Sequence, residues 1–117
     1  MNKVGGYNIE DLQVGMSACV SKTVTEADII LFAGVSTDIN PAHLDEDYAK
    51  GTQFGGRIAH GMLSASFISA VLANKLPGAG TIYLGQTLKF KSPVRIGDTV
   101  TATVTVKEVV VAKKRCI

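Results

Sequence analysis

Hydrophobic and polar positions follow two different periods along this chain, and the switches between them outline its elements. Met16 to Val24 is a short run rich in Val and Thr, the residues that favour a strand. Thr25 then sets up a helix start. Asp28 stands three residues on, the spacing at which two side chains satisfy free backbone N–H groups reciprocally. Ile29, Ile30, Leu31, Phe32 and Val35 supply the apolar body of this helix, Gly34 weakens it, and Ser36 lies near its end. The segment from Thr37 to His43 reads as irregular, because Pro41 disfavours helix at Asn40. A short helix is expected from Asp45 to about Gly51, then a Gly-rich loop from Gln53 to His60.

Gly61 to Leu76 is the second main helix, with apolar residues on nearly every face. Such a helix is expected to be buried all round. Pro77-Gly78 ends it. Two period-two runs follow. In Thr81 to Phe90, Ile82, Leu84, Leu88 and Phe90 point one way. In Thr99 to Val111, Val100, Ala102, Val104, Val106 and Val110 alternate with Thr and Lys, predicting one packed face and one wet one. Arg115 to Ile117 reads as the opening of a further strand. The expected class is α+β, an antiparallel sheet with one long buried helix against it. A curved sheet wrapped around such a helix is the hotdog arrangement, which the pattern alone ranks as a candidate.

Composition narrows the functional classes. The length of 117 residues predicts a single domain, 1–117, and 46% hydrophobic residues exclude a disordered chain. Twelve Lys and Arg against ten Asp and Glu leave +2, with one small basic cluster at Lys113, Lys114 and Arg115. That argues against nucleic acid. Trp is absent and aromatics are 6%, so a base-stacking surface is poorly supplied. Cys19 and Cys116 match no metal or redox spacing and read as reduced thiols. Met1 to Gln13 lacks the apolar run of a signal peptide, and Ser64, Ser66, Ser69, Asn74 and Lys75 interrupt the longest apolar stretch. The expectation is a cytoplasmic protein that does not engage a membrane.

Asp38 and His43 stand close together in the proline-stiffened segment. A carboxylate and an imidazole held together can bind one water and take its proton. Spacing alone favours the plainer reading, an Asx-turn at Asp38 and a surface or capping histidine. Gly61 opens the second helix directly after His60. The first N–H groups of a helix suit a developing oxyanion, and Gly lets a ligand approach closely. Taken alone, an ordinary N-terminal Gly beside a packing or capping His60 is the favoured reading. Metal binding through His43 and His60 has no Cys nearby and no H-E-x-x-H pattern behind it. The run from Asp38 to His43 fails as a calcium loop, with Ala42 at a ligand position and Ala49 where a Glu is needed. No nucleotide or nucleophile-elbow motif is present.

Several segments together resemble the MaoC-like (R)-specific enoyl-CoA hydratases. Ser36-Thr37-Asp38-Ile39-Asn40-Pro41-Ala42-His43-Leu44-Asp45 is similar to the hydratase-2 motif, and Arg57-Ile58-Ala59-His60-Gly61-Met62-Leu63 to the family's central-helix start. Leu76-Pro77-Gly78, Tyr83-Leu84-Gly85-Gln86, Leu88-Lys89-Phe90 and Pro93-Val94-Arg95-Ile96-Gly97-Asp98 match in order, from about Leu12 onward. The resemblance implies a hotdog fold, usually a homodimer, acting on trans-2-enoyl-CoA. It implies that Asp38 and His43 are the catalytic pair holding the attacking water and that the Gly61 N–H binds the thioester carbonyl. It places Asn40 and Ser66 in support of the site, with Phe32, Met62, Leu63 and Phe67 as acyl-pocket candidates. Lys89, Lys91 and Arg95 are candidates for the phosphates of coenzyme A. No separate cofactor is implied, because coenzyme A is part of the substrate.

The resemblance also implies a further β-hairpin past Ile117, so exposed edges are expected where this sequence stops. Its intact Asp38 and His43 favour hydration of enoyl-CoA to (R)-3-hydroxyacyl-CoA. The short C-terminal side keeps a non-catalytic acyl-CoA-binding module in view. Two related activities stand beside it: a hotdog thioesterase, which would cleave the thioester, and an acyl-carrier-protein dehydratase, which would run the reaction in reverse.

Overall fold

The computed structural model describes residues 1–117. In chain order the elements are β1 (Ser17–Thr23), α1 (Glu26–Ser36), α2 (Pro41–Leu44), α3 (Glu46–Lys50), α4 (Gly61–Asn74), β2 (Thr99–Thr105), β3 (Val109–Val110) and β4 (Arg115–Cys116). Single 3-10 turns lie at Ile9–Asp11 and Val111–Lys113. The chain groups into two compact units: Ser21–Ala65 with Thr87–Val100, and Met1–Val20 with Ser66–Gln86 and Thr101–Ile117.

The strands form two antiparallel pairs, β1 with β2 and β3 with β4. The first pair is tied at one end by the Val106 N–H donating to Met16 O at 2.8 Å, and at the other by the Val24 N–H donating to Asp98 O at 2.8 Å. Hydroxyl pairs Ser17/Thr105 and Thr23/Thr99 stand on its wet face. Along β2 the threonines are exposed while Val100, Ala102 and Val104 turn inward, as the period-two pattern predicts. Arg115–Cys116 does open a strand, pairing Val109 with Cys116 and Val110 with Arg115.

Three expectations are corrected. Thr81–Phe90 forms no strand, and its predicted inward residues Ile82, Leu84 and Phe90 are exposed. Alternation supplies side chains suited to a sheet, but a ladder also needs a neighbouring strand to complete its N–H and C=O groups, and this segment has none. Thr99–Val111 breaks after Thr105 instead of running on as one strand. Helix α4 is not buried all round: Met62, Ser66, Ser69 and Ala73 form an exposed stripe at helical spacing. Its all-round apolar composition reports tolerance of burial, not the presence of a covering layer.

Helix α1 begins as the sequence predicts. The Thr25 hydroxyl accepts the Asp28 N–H at 3.2 Å and the Asp28 carboxylate accepts the Thr25 N–H at 2.9 Å. Lys22 Nζ adds a 2.6 Å ion pair to the same carboxylate. The helix stops at Thr37, whose φ of 65° is left-handed. Gly34 sits in its exposed second half with open space where a Cβ would go. Gly34→Ala should therefore raise stability by about 0.5–1 kcal/mol in urea unfolding, since it removes only backbone freedom.

Lys22 first, and then the Thr25 N–H, hold the Asp28 carboxyl below its ordinary value of 3.8. The folded value lies below the unfolded one, so the carboxylate's contribution is complete above the unfolded value and is lost as pH falls through the folded one. Asp28→Asn should be less stable than wild type at neutral pH, and the difference in urea midpoint should close as pH is taken below 3.8.

Each unit buries apolar side chains. In one, Leu12, Leu76 and Val106 are buried against Tyr7, Ile9, Met16, Ala18 and Val104. In the other, Val24, Ile29, Ala33, Ala49, Ala59 and Leu63 are buried, together with one polar residue, His60. No helix is long and apolar enough to cross a membrane.

Candidate active site

The segment read as irregular is built from successive local caps. The Asp38 N–H donates to Ser36 Oγ at 3.1 Å, and Asp38 Oδ1 accepts the Asn40 N–H at 3.3 Å. Asp38 therefore does form an Asx-turn, as the plainer reading held. Asn40 Oδ1 accepts the Ala42 N–H at 2.9 Å and caps α2, a one-turn helix with Pro41 in its first turn, where the missing N–H costs nothing. An Asx-turn followed by one helical turn folds the chain back on itself. It brings His43 Nε2 within 3.9 Å of Asp38 Oδ2.

The loop from Arg57 to His60 packs onto this turn. The Ile58 N–H donates to Ala42 O at 3.2 Å and the Ala59 N–H to Val94 O at 2.7 Å. Arg57 Nε donates to His43 O at 2.7 Å, and Arg57 Nη1 pairs with Glu26 Oε2 at 2.7 Å. The backbone of His43 is thus anchored through Arg57 to the first turn of α1.

Both imidazoles rest on backbone carbonyls. His43 Nδ1 lies 2.8 Å from Ile58 O, and His60 Nε2 lies 2.9 Å from Asp38 O. A carbonyl only accepts, so each of these nitrogens carries the hydrogen, and in the neutral ring the opposite nitrogen keeps its lone pair. In His43 that lone pair is on Nε2, facing the Asp38 carboxylate. The two rings stack with centroids 3.8 Å apart and planes at 27°, and Phe32 meets the His60 ring at 4.8 Å and 57°.

A separation of 3.9 Å is too long for a direct hydrogen bond. It suits two acceptors sharing one water: a water oxygen about 2.8 Å from each would subtend roughly 90°, close to the angle between a water's two hydrogens. A water so placed would have both hydrogens on Asp38 and His43 and its oxygen lone pairs facing outward. Asp38, His43 and His60 each place a potential ligand atom within 4.8 Å of the others, so a cation could occupy the same place only in competition with that water.

Asp38 and Gly61 line one cleft of about 540 Å³, together with His60, Met62, Lys89 and Phe90. Gly61 opens α4 and bears a helix-terminal N–H group. A Cβ built on it would lie 2.9 Å from the Phe90 ring, so only Gly fits beneath that ring as placed.

The other sequence-predicted residues divide. Lys91 lines the cleft alongside Lys89. Arg95 does not, its guanidinium being used on Phe54 O. Asn40 acts through backbone capping. The cleft takes Ser64 from α4, and Ser66 lies on the helix's exposed stripe. Phe32 touches His60, Leu63 is buried, and Phe67 is half-buried. The sequence offers His60 as a packing or capping residue or, with His43, a metal ligand, and gives Arg57 no role of its own. Their signal is membership of the segment Arg57–Leu63 that resembles the family's central-helix start.

Comparison with known proteins gives the family and the fold. A family model described as MaoC like domain matches residues 12–116. An (R)-specific enoyl-CoA hydratase of Rhodospirillum rubrum is 66% identical over 108 residues, covering 92% of this chain and 75% of that protein. A 3-hydroxybutyryl-CoA dehydratase of Methylorubrum extorquens is 47% identical, covering 91% and 68%. The unliganded R-hydratase PhaJ1 from Pseudomonas aeruginosa superposes with a TM-score of 0.83 at 51% identity, covering 88% of this chain and 66% of that one. The fold is the hotdog fold of those hydratases.

Proposed function

Because the chain belongs to the MaoC-like domain family, we propose that it hydrates trans-2-enoyl-CoA to (R)-3-hydroxyacyl-CoA through Asp38 and His43. The observation that carries this reading is the water-sized interval between Asp38 Oδ2 and His43 Nε2, with Asp38 lining the same cleft as Gly61 at the start of α4.

The steps follow from the acceptors and donors present. Asp38 and His43 each accept one hydrogen of the water, leaving its oxygen free to attack C3 of the enoyl group. Asp38 takes one proton as the C3–O bond forms. The C2–C3 π electrons move toward the thioester carbonyl, and the Gly61 N–H with the positive end of α4 stabilises the negative charge on that oxygen. The proton is then returned to C2 from the same face. Hydroxyl and hydrogen are added syn, and the active-site groups are regenerated.

Lys89 and Lys91 at the cleft suit the phosphates of coenzyme A, which enters as part of the substrate, so the reaction needs no separate cofactor. A homodimer fits the exposed apolar residues of Thr81–Phe90, which offer a surface for a second copy. The free thiols of Cys19 and Cys116 fit a reducing, cytoplasmic setting.

Mixing the protein with crotonyl-CoA tests the reading. Enoyl absorbance should fall with formation of 3-hydroxybutyryl-CoA. Release of free coenzyme A would make it a thioesterase, and tight binding without turnover would make it a binding module.

A further inference from the structure

We infer that His60 is a positioning residue that fixes the Asp38–His43 pair, an inference that rests on the hydratase reading for its kinetic consequence. Three contacts converge on this one side chain and its peptide. Its Nε2–H donates to Asp38 O at 2.9 Å, fixing the backbone from which the carboxylate projects. Its ring stacks face to face on the His43 ring at 3.8 Å, restricting that imidazole's rotation. Its own carbonyl accepts the Leu63 N–H at 3.1 Å in the first turn of α4, and the next peptide nitrogen is that of Gly61. One residue therefore spans the base, its imidazole partner and the proposed carbonyl donor.

Burial gives this arrangement its rigidity. His60 is 2% exposed, and its Nδ1 is buried without a partner. A ring flip would take the Nε2–H away from Asp38 O and leave that buried donor in need of a new acceptor, at a cost of a lost hydrogen bond. The unpartnered Nδ1 is the reason His60 is read as a holder: it has nothing to exchange a proton with, while the opposite nitrogen is committed to a backbone carbonyl. The lone pair of His43 Nε2, in contrast, faces Asp38.

The substitutions that separate holding from mere filling are His60→Leu and His60→Gln. Leucine keeps apolar bulk without a donor, whereas glutamine can return an amide N–H toward Asp38 O. With crotonyl-CoA, His60→Leu should lower kcat by roughly 10- to 100-fold with KM little changed, the scale of a reacting group misplaced by about an ångström. His60→Gln should recover most of that loss. Side-chain 15N spectra supply a readout independent of turnover. In wild type, His60 should appear as the Nε2–H tautomer and His43 as the Nδ1–H tautomer, and His60→Leu should shift and broaden the His43 ring signals as the ring loses its stacking partner.

Full kcat in a folded His60→Leu protein would overturn the proposal, as would a Gln variant no better than Leu. If the Leu variant does not fold, the Gln variant and the wild-type spectrum decide. A wild-type His60 carrying its hydrogen on Nδ1 overturns the proposal by itself. Wild-type protein that folds but does not hydrate crotonyl-CoA would fail the hydratase reading, and the tautomer spectra would still decide the placement of His60.

Discussion

Asp38→Asn is expected to lower the rate of crotonyl-CoA hydration by roughly 10²- to 10⁴-fold, the range for loss of a positioned general base. The substitution isolates chemistry from folding. Asp38 is half exposed, and its structural duty is to accept the Asn40 N–H through Oδ1, which an asparagine carbonyl can also do. The cap on α2 comes from Asn40 and is untouched. What is lost is the charged acceptor 3.9 Å from His43 Nε2. An asparagine can orient a water but cannot take its proton, so kcat should fall while KM stays close to wild type. Measurement of kcat and KM by loss of enoyl absorbance checks this, with circular dichroism to confirm the fold.

Gly61→Ala should also be damaging, with a loss of roughly 10²-fold, the scale for a reacting group displaced by about an ångström. The N–H itself survives the substitution. Its surroundings do not, because the new Cβ would stand 2.9 Å from Phe90 Cδ1 and Cε1. Phe90 is well exposed and its ring can swing aside, but the methyl group then remains at the helix start, where a thioester carbonyl must approach. Stability should change little, in keeping with a defect confined to the cleft. Gly34→Ala is the natural control, since the same change there meets open space. Steady-state kinetics on both variants separate a local steric effect from a general effect of replacing glycine.

Much of the fold was legible in the sequence where the determinants are local. Thr25 and Asp28 marked the start of α1 because a capping box is written in adjacent residues. The threonines of β2 marked its wet face because alternation is a property of one strand. Thr81–Phe90 misled because pairing is a property of two strands, and α4 misled because burial depends on what lies opposite. At the site, the proximity of Asp38 to His43 and the place of Gly61 at the start of α4 were legible from motifs. The resemblance placed Asn40 in support of the site, and in the structure its side chain caps α2. His60 and Arg57 were hidden, because they act on backbone carbonyls far away in sequence and leave no periodic trace. Asp38 was both of the things its sequence allowed, an Asx-turn residue and a carboxylate facing His43.

The most direct test of the central claim is hydration of crotonyl-CoA in D₂O, with the configuration of the product read at both new centres. Water held by Asp38 and His43 on one face should give (R)-3-hydroxybutyryl-CoA with deuterium at C2 added syn to the hydroxyl. An (S) product, anti addition, or no loss of enoyl absorbance with folded protein would contradict it.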